Sequence, residues 1–223
     1  MMIVKTTNIS IIFHCIYFIL ILHNYGNAQV WDTVKEKNGI TLCENAKMGK
    51  HIKQYKAVFT INSSLQGAIK FLKDIESFTE WVNNLKKAQI SETVNDSNYT
   101  YRFTIVYAFF FKKEGEIRVQ IRQNSSRQIV YYSATLETTE AERRETNDVR
   151  AYTTNWTFYP ISSNKTEVSY EVVVDFGGRI LSFIASGRVE NGICETMSKV
   201  RQIVQKETYQ HQSDYFIKNL GQE

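Results

Sequence analysis

The chain has 223 residues, of which 43% are hydrophobic and 22% charged, and its formal net charge is +4. This is the composition of an ordinary globular domain, and it excludes disorder. Three cysteines exclude a disulfide scaffold, and one proline with ten glycines excludes collagen-like or proline-rich linker character.

Residues 1–28 read as a secretory signal peptide. Lys5 is their only charge, the apolar run 9–22 is interrupted by Ser10 and His14, and Gly26-Asn27-Ala28 offers small residues for cleavage. The competing reading is an uncleaved anchor, but the run falls short of the about 20 residues a spanning helix needs. Cys15 lies inside the run, which argues against a lipoprotein. Cleavage near Ala28 would place the protein in the periplasm or outside the cell. It would leave 26 basic against 23 acidic residues. The charges are interspersed, and pairs such as Lys86-Lys87 and Arg143-Arg144 read as solvated surface, so no nucleic-acid partner is expected. Cys43 and Cys194 remain. Export permits a bridge between them, but spacing alone cannot show proximity, and two buried thiols are the simpler reading.

Along the chain, an Asn38-Gly39 turn precedes a short strand at 40–44. A stronger strand at 52–61 carries Tyr55, Val58 and Phe59, and Asn62-Ser63-Ser64 stops it and supplies helix caps. Leu65, Ile69 and Leu72 share one face and predict a helix over 65–74. Phe78, Trp81, Val82 and Leu85 predict a second, short helix over 77–84. Five alternating strands follow, at 99–109, 116–122, 128–136, 149–159 and 166–176, with a charged, aperiodic loop at 137–148. Gly177-Gly178 ends the last strand. Val189, Ile193, Met197, Val200 and Val204 then mark one face of a long helix over 179–206. Gly187 and Gly192 weaken its middle. The tail after Tyr209 is polar and is expected to fray. With no repeat or linker, the organisation is one domain over 29–208 and a tail over 209–223.

The fold class is therefore α+β, with an antiparallel sheet of about seven strands, apolar on one face. That face must be buried, and the last helix is the only large element available. One helix cannot cover seven strands, so the sheet must curl around it. Such curling tends to leave a hollow lined by inward side chains. Phe103, Tyr107, Trp156 and Tyr170 lie on inward faces, and the 13% aromatic content is high. A cavity for a hydrophobic ligand and a core filled by the same rings both remain open.

The order of elements resembles a START domain. START domains are lipid-transfer-related members of the helix-grip superfamily, which also holds polyketide cyclases and plant pathogenesis-type ligand binders. The matching segments are Trp31-Asp32, Asn38-Gly39-Ile40, Tyr55-Lys56-Ala57-Val58 and the helix at 65–72. They continue with Phe78-Thr79-Glu80-Trp81-Val82, Trp156-Thr157-Phe158, Val168-Ser169-Tyr170-Glu171 and Asp175-Phe176-Gly177-Gly178. The resemblance covers about residues 30–204. One departure stands out. Bacterial START-like chains often carry Asp-Arg-Asp before a strand, whereas this chain reads Glu114-Gly115-Glu116, without the arginine.

The resemblance implies a helix-grip fold that binds a lipid or other hydrophobic small molecule between sheet and last helix. The candidate ligand-binding residues are Trp81, Phe103, Tyr107, Val119 and Tyr132, with Trp156, Tyr170, Phe183 and Ile184. Segments 109–115 and 137–148 border strand ends and are the candidate lids. A monomer that touches membranes transiently is expected. The alternatives are a cyclase or aromatase using the same cavity, and a solid domain that binds a protein partner.

The residues themselves offer no catalytic constellation. Only His51 and His211 remain after cleavage, in no metal-ligand spacing with the cysteines. No nucleophile elbow, phosphate loop or dinucleotide fingerprint occurs. Glu167 and Glu171 fall on the outward face and are expected to be solvated. No catalytic residue, metal or cofactor is assigned. Six Asn-x-Ser/Thr triplets, at Asn62, Asn95, Asn98, Asn124, Asn155 and Asn164, would carry glycans only in a eukaryotic secretory route.

Overall fold

The computed structural model describes residues 30–48, 52–107, 111–137, 151–175, 188–210 and 216–221, the side chains of 107, 111–113 and 188 excepted. The described residues from Trp31 onward belong to one compact unit. Its strands are β1 (Trp31–Lys37), β2 (Ile40–Asn45), β3 (Ile52–Ile61), β4 (Leu85–Asn95), β5 (Asn98–Tyr107), β6 (Phe111–Asn124), β7 (Ile129–Glu137), β8 (Ala151–Ser162) and β9 (Lys165–Asp175). Its helices are α1 (Leu65–Lys73), α2 (Phe78–Trp81), α3 (Arg188–Ile203) and α4 (Glu207–Gln210), with one 3-10 turn at Ile75–Ser77.

The strands form a single sheet in the order β1-β2-β3-β9-β8-β7-β6-β5-β4. Every neighbouring pair is antiparallel. The α+β class holds, and the sheet has nine strands among the described residues rather than about seven. The two additions are edge strands. β1 exposes or half-exposes all seven residues, and most of β4 is exposed on both faces. Strands solvated on both sides carry no apolar alternation to read. In β4 the register also shifts at three places, which scrambles any remaining period.

The inner strands follow the period-two rule. In β7 the buried positions are Val130, Tyr132, Ala134 and Leu136, and in β9 they are Thr166, Val168, Tyr170 and Val172. Glu171 pairs with Lys56 at 3.0 Å, and Glu167 is exposed, both as expected of the outer face. Helix α1 starts where the caps were expected. The Gly67 backbone N–H donates to the Ser64 hydroxyl at 3.1 Å, and Leu65, Ile69 and Leu72 are fully buried. Gly67 is required there, because a Cβ would meet the Ser63 hydroxyl at 2.5 Å and the Tyr209 carbonyl at 2.6 Å.

The second helix is shorter than expected. It ends at Trp81, and Val82 is already extended. Asn84 then takes a left-handed conformation, φ +65°, which turns the chain into β4. Strand β6 begins at Phe111, so residues 111–115 of one expected lid are strand, paired with β5. The remainder of that lid and residues 138–148 of the other lie outside the described residues. So do His51, Gly177-Gly178, the first turns expected of the last helix and His211.

Within α3 the expected face is buried at Met197 and Val200, and Val204, just beyond it, continues that face; Val189 and Ile193 are only partly buried. The end of the chain is a correction. Tyr209 and Ile217 are buried, and Gln66 Nε2 donates to the Ile217 carbonyl at 2.7 Å. Residues 216–221 thus dock rather than fray. The apolar side chains of this stretch, Tyr209, Tyr215, Phe216, Ile217 and Leu220, are irregularly spaced among polar ones and form no period that sequence could reveal.

Candidate functional site

A cavity of about 550 Å³ lies between the sheet and α3. Its walls reach from Tyr55 on β3 to Tyr101, Phe103 and Ile105 on β5. Between them stand Ile117 of β6, Ala134 and Leu136 of β7, Tyr152 of β8, and Val172 and Val174 of β9. For strands this far apart to line one hollow, the sheet must wrap around the helix. Val189, Ile193 and Met197 of α3 close the other side.

The interior is filled at one end and hollow at the other. Tyr99, Val130, Phe158 and Val168 sit near the β4–β5, β6–β7 and β8–β9 turns, and they are packed into the core away from the cavity. Ile105, Leu136, Tyr152 and Val174 sit near the opposite strand ends and line it. The connections β5–β6, β7–β8 and β9–α3 leave from that hollow end.

Five of the nine expected ligand-facing residues line the cavity: Trp81, Phe103, Tyr132, Trp156 and Tyr170. Val119 points inward but is fully buried in the filled end and does not line it. Tyr107 closes β5, and its side chain lies outside the description. Phe183 and Ile184 fall outside the described residues. Sequence reasoning passed over Tyr55, Tyr101 and Tyr152, although Tyr101 alternates with Phe103 and Tyr152 with Trp156. It also passed over Asn83. That side chain accepts from Lys199 Nζ at 3.1 Å and donates to the Gly192 carbonyl at 3.5 Å, tying the end of α2 to α3 at the cavity wall.

The wall is aromatic. The Trp81 and Trp156 rings meet edge to face with centroids 6.3 Å apart, and Trp156 lies 4.6 Å from Tyr170. Phe78 packs edge-on to Trp81 at 4.6 Å. The buried tyrosine hydroxyls of this wall are neutral. Burial holds the Tyr101, Tyr132 and Tyr170 hydroxyls well above the ordinary tyrosine pKa. Tyr132 is hydrogen-bonded to Tyr99, and Tyr170 to Tyr152. The Trp81 indole N–H is buried with no hydrogen-bond partner. No Lys, Arg or His occurs among the described lining residues, and Glu195, exposed on α3, is the one carboxylate.

Both cysteines are free, Cys43 half-buried on β2 and Cys194 buried on α3. Burial pushes the Cys194 thiol up, away from a reactive thiolate. No cluster of three His, Cys, Asp or Glu side chains suited to a metal ion occurs among the described residues.

A family profile described as polyketide cyclase / dehydrase and lipid transport matches residues 68–198. An uncharacterized protein of Pseudomonas aeruginosa is 20% identical over 183 residues, covering 81% of this chain and 91% of its own length. The fold is similar to that of a STAR-related lipid transfer protein fragment from Xanthomonas axonopodis. The TM-score is 0.65 at 15% identity, over 79% of this chain and 99% of the other. It is also similar to the Zhui aromatase/cyclase from Streptomyces sp. R1128, with a TM-score of 0.51 at 11% identity, over 71% and 96%.

Proposed function

We propose a carrier function for this chain, which belongs to the polyketide cyclase/dehydrase and lipid transport family. In this reading the cavity between sheet and α3 holds a lipid or other hydrophobic small molecule and shields it from water. The observation that carries the proposal is a hollow of about 550 Å³ whose wall is aromatic and aliphatic and bears no described cation. Each ~100 Å² of apolar ligand surface buried there contributes about 2.5 kcal/mol before ordering costs. Cavities of this size and lining suit small apolar ligands.

A cyclase or aromatase role in the same cavity is the second reading, and the family's description spans both. The carrier is preferred because no histidine, cysteine or carboxylate pair converges on the described wall. The tyrosine hydroxyls there stay protonated and provide no general base. We place the carrier outside the cytoplasm, as a monomer that meets membranes only to exchange ligand. The pattern of residues 1–28 supports export, and the mature chain is expected to begin at Gln29.

The test is protein-dependent transfer of a pyrene-labelled diacylglycerol between phosphatidylcholine vesicles. The native chain accelerates transfer, and Trp156→Arg or Tyr170→Arg abolishes it. Unchanged transfer by a folded Trp156→Arg variant rejects the placement of the ligand.

A further inference from the structure

We infer that the ligand is a neutral apolar molecule carrying an alcohol or ketone oxygen on the end that lies deepest in the hollow, and that the Tyr101 hydroxyl anchors that oxygen. The inference rests on the carrier reading and specifies the ligand's chemistry.

Alternation along β5 places Tyr101. Tyr99 is packed into the filled end, Phe103 and Ile105 line the hollow, and Tyr101 lies between them on the same face. Its ring meets Phe78 edge to face at 5.7 Å and lines the hollow. Across β6 its partner Ile117 also lines the hollow, whereas Val119, the next inward residue, does not. The step from filled to hollow therefore falls at this level, and Tyr101 stands on the hollow's floor.

Tyrosines from four strands gather there: Tyr99 and Tyr101 of β5, Tyr132 of β7, Tyr152 of β8 and Tyr170 of β9. Burial first, and then their nearness to one another, raise Tyr101, Tyr132 and Tyr170. Tyr132 is hydrogen-bonded to Tyr99, and Tyr170 to Tyr152. The Tyr101 hydroxyl has these neighbours but no hydrogen bond among the described residues. It is not sealed in either. Among the described residues the one fully enclosed side-chain nitrogen or oxygen without a partner is Trp81 Nε1. The Tyr101 hydroxyl thus keeps open surface, and Tyr101, 9% exposed, has the hollow in front of it. A neutral phenol donates one hydrogen bond and accepts others. A ketone oxygen accepts that bond, and an alcohol accepts it or donates in return.

The experiment is competition against bound Nile red with three probes of equal chain length delivered from cyclodextrin: 1-heptadecanol, methyl pentadecyl ketone and heptadecane. The native chain binds the alcohol and the ketone at least as tightly as the alkane. An oxygen without an anchor loses its water for nothing and binds more weakly than the alkane. Tyr101→Phe keeps the ring and removes only the hydroxyl. It lowers the preference for alcohol and ketone over alkane about fivefold, the worth of one net hydrogen bond, and leaves the alkane unchanged. Urea unfolding of the unliganded chains supplies a second reading, since a hydroxyl engaged within the fold would be missed there. The midpoint of Tyr101→Phe equals or exceeds the native one, and saturating ketone raises the native midpoint more than that of the variant. Native preference for heptadecane, a preference for alcohol and ketone kept by Tyr101→Phe, or a lower midpoint of the unliganded variant overturns the inference. If neither Nile red nor any of the three probes binds, the carrier reading fails and the anchor with it. If all bind and the variant treats them as the native chain does, only the anchor fails.

Discussion

Phe103 and Gly115 face each other across β5 and β6, and the Phe103 ring occupies the space that a side chain at 115 would need. A Cβ on Gly115 would stand 2.9 Å from Phe103 Cε1 and 3.1 Å from Leu136 Cδ1. Both neighbours line the cavity. Gly115→Ala is therefore expected to destabilise the fold by about 1–2 kcal/mol, the usual range for forcing an extra carbon into a packed site. Urea unfolding reads this as a lower midpoint at unchanged slope. A midpoint equal to or above the native one contradicts the close approach.

Gly192 is the opposite case. It sits inside α3, and a Cβ would find only Asn83 Nδ2, at an ordinary 3.8 Å. Gly192→Ala should stabilise the chain by about 0.5–1 kcal/mol through lower backbone entropy in the unfolded state. A higher urea midpoint with Nile red binding retained is the expected result. A loss of stability means the helix needs glycine for a reason its surroundings do not show.

Ile217 fastens the end of the chain. It is fully buried, Gln66 Nε2 donates to its carbonyl, and the Gln66 backbone N–H donates to Asn219 Oδ1 at 3.0 Å. Lys218 and Gln123 add two bonds to β6, at 2.7 and 2.9 Å. Ile217→Ala is expected to cost about 2–4 kcal/mol. A change below the scatter of surface substitutions, about 0.5 kcal/mol, shows a tail that frays after all.

Stability should fall in alkali. Tyr209 is pushed up to about 12, by burial and then by its hydrogen bond to Asp74 at 2.6 Å. Tyr101, Tyr132 and Tyr170 are also raised, by burial first. A raised folded pKa means the unfolded chain loses these protons first. The contribution is complete below about pH 10, the free tyrosine value, and declines as pH rises toward the folded values. Urea midpoints from pH 8 to about 12 should be level and then drop, with tyrosinate absorbance rising only as the chain unfolds. Tyrosinate that forms in the folded chain near the free value refutes the buried placement.

Much of the fold was legible because the inner strands and the last helix each bury one face. Val168, Tyr170 and Val172 alternate, and Val189 to Val204 keep helical spacing, so period alone placed them. Trp31 to Lys37 and Lys86 to Asn95 escaped because strands solvated on both faces have no apolar period. The cavity was less legible than its wall. Inward rings could be found by alternation, but Val119 and Trp156 look alike in sequence, and only the three-dimensional taper of the interior separates a filled end from a hollow one. Trp81 was found through its motif, whereas its unpaired N–H depends on what surrounds it and leaves no trace in sequence.

The central claim is that the hollow beside α3 accepts one apolar ligand, and native mass spectrometry tests it most directly. After extraction with organic solvent and incubation with methyl pentadecyl ketone, the native chain should carry one bound molecule, and folded Trp156→Arg none. No adduct on the native chain, or the same adduct on both, contradicts the account.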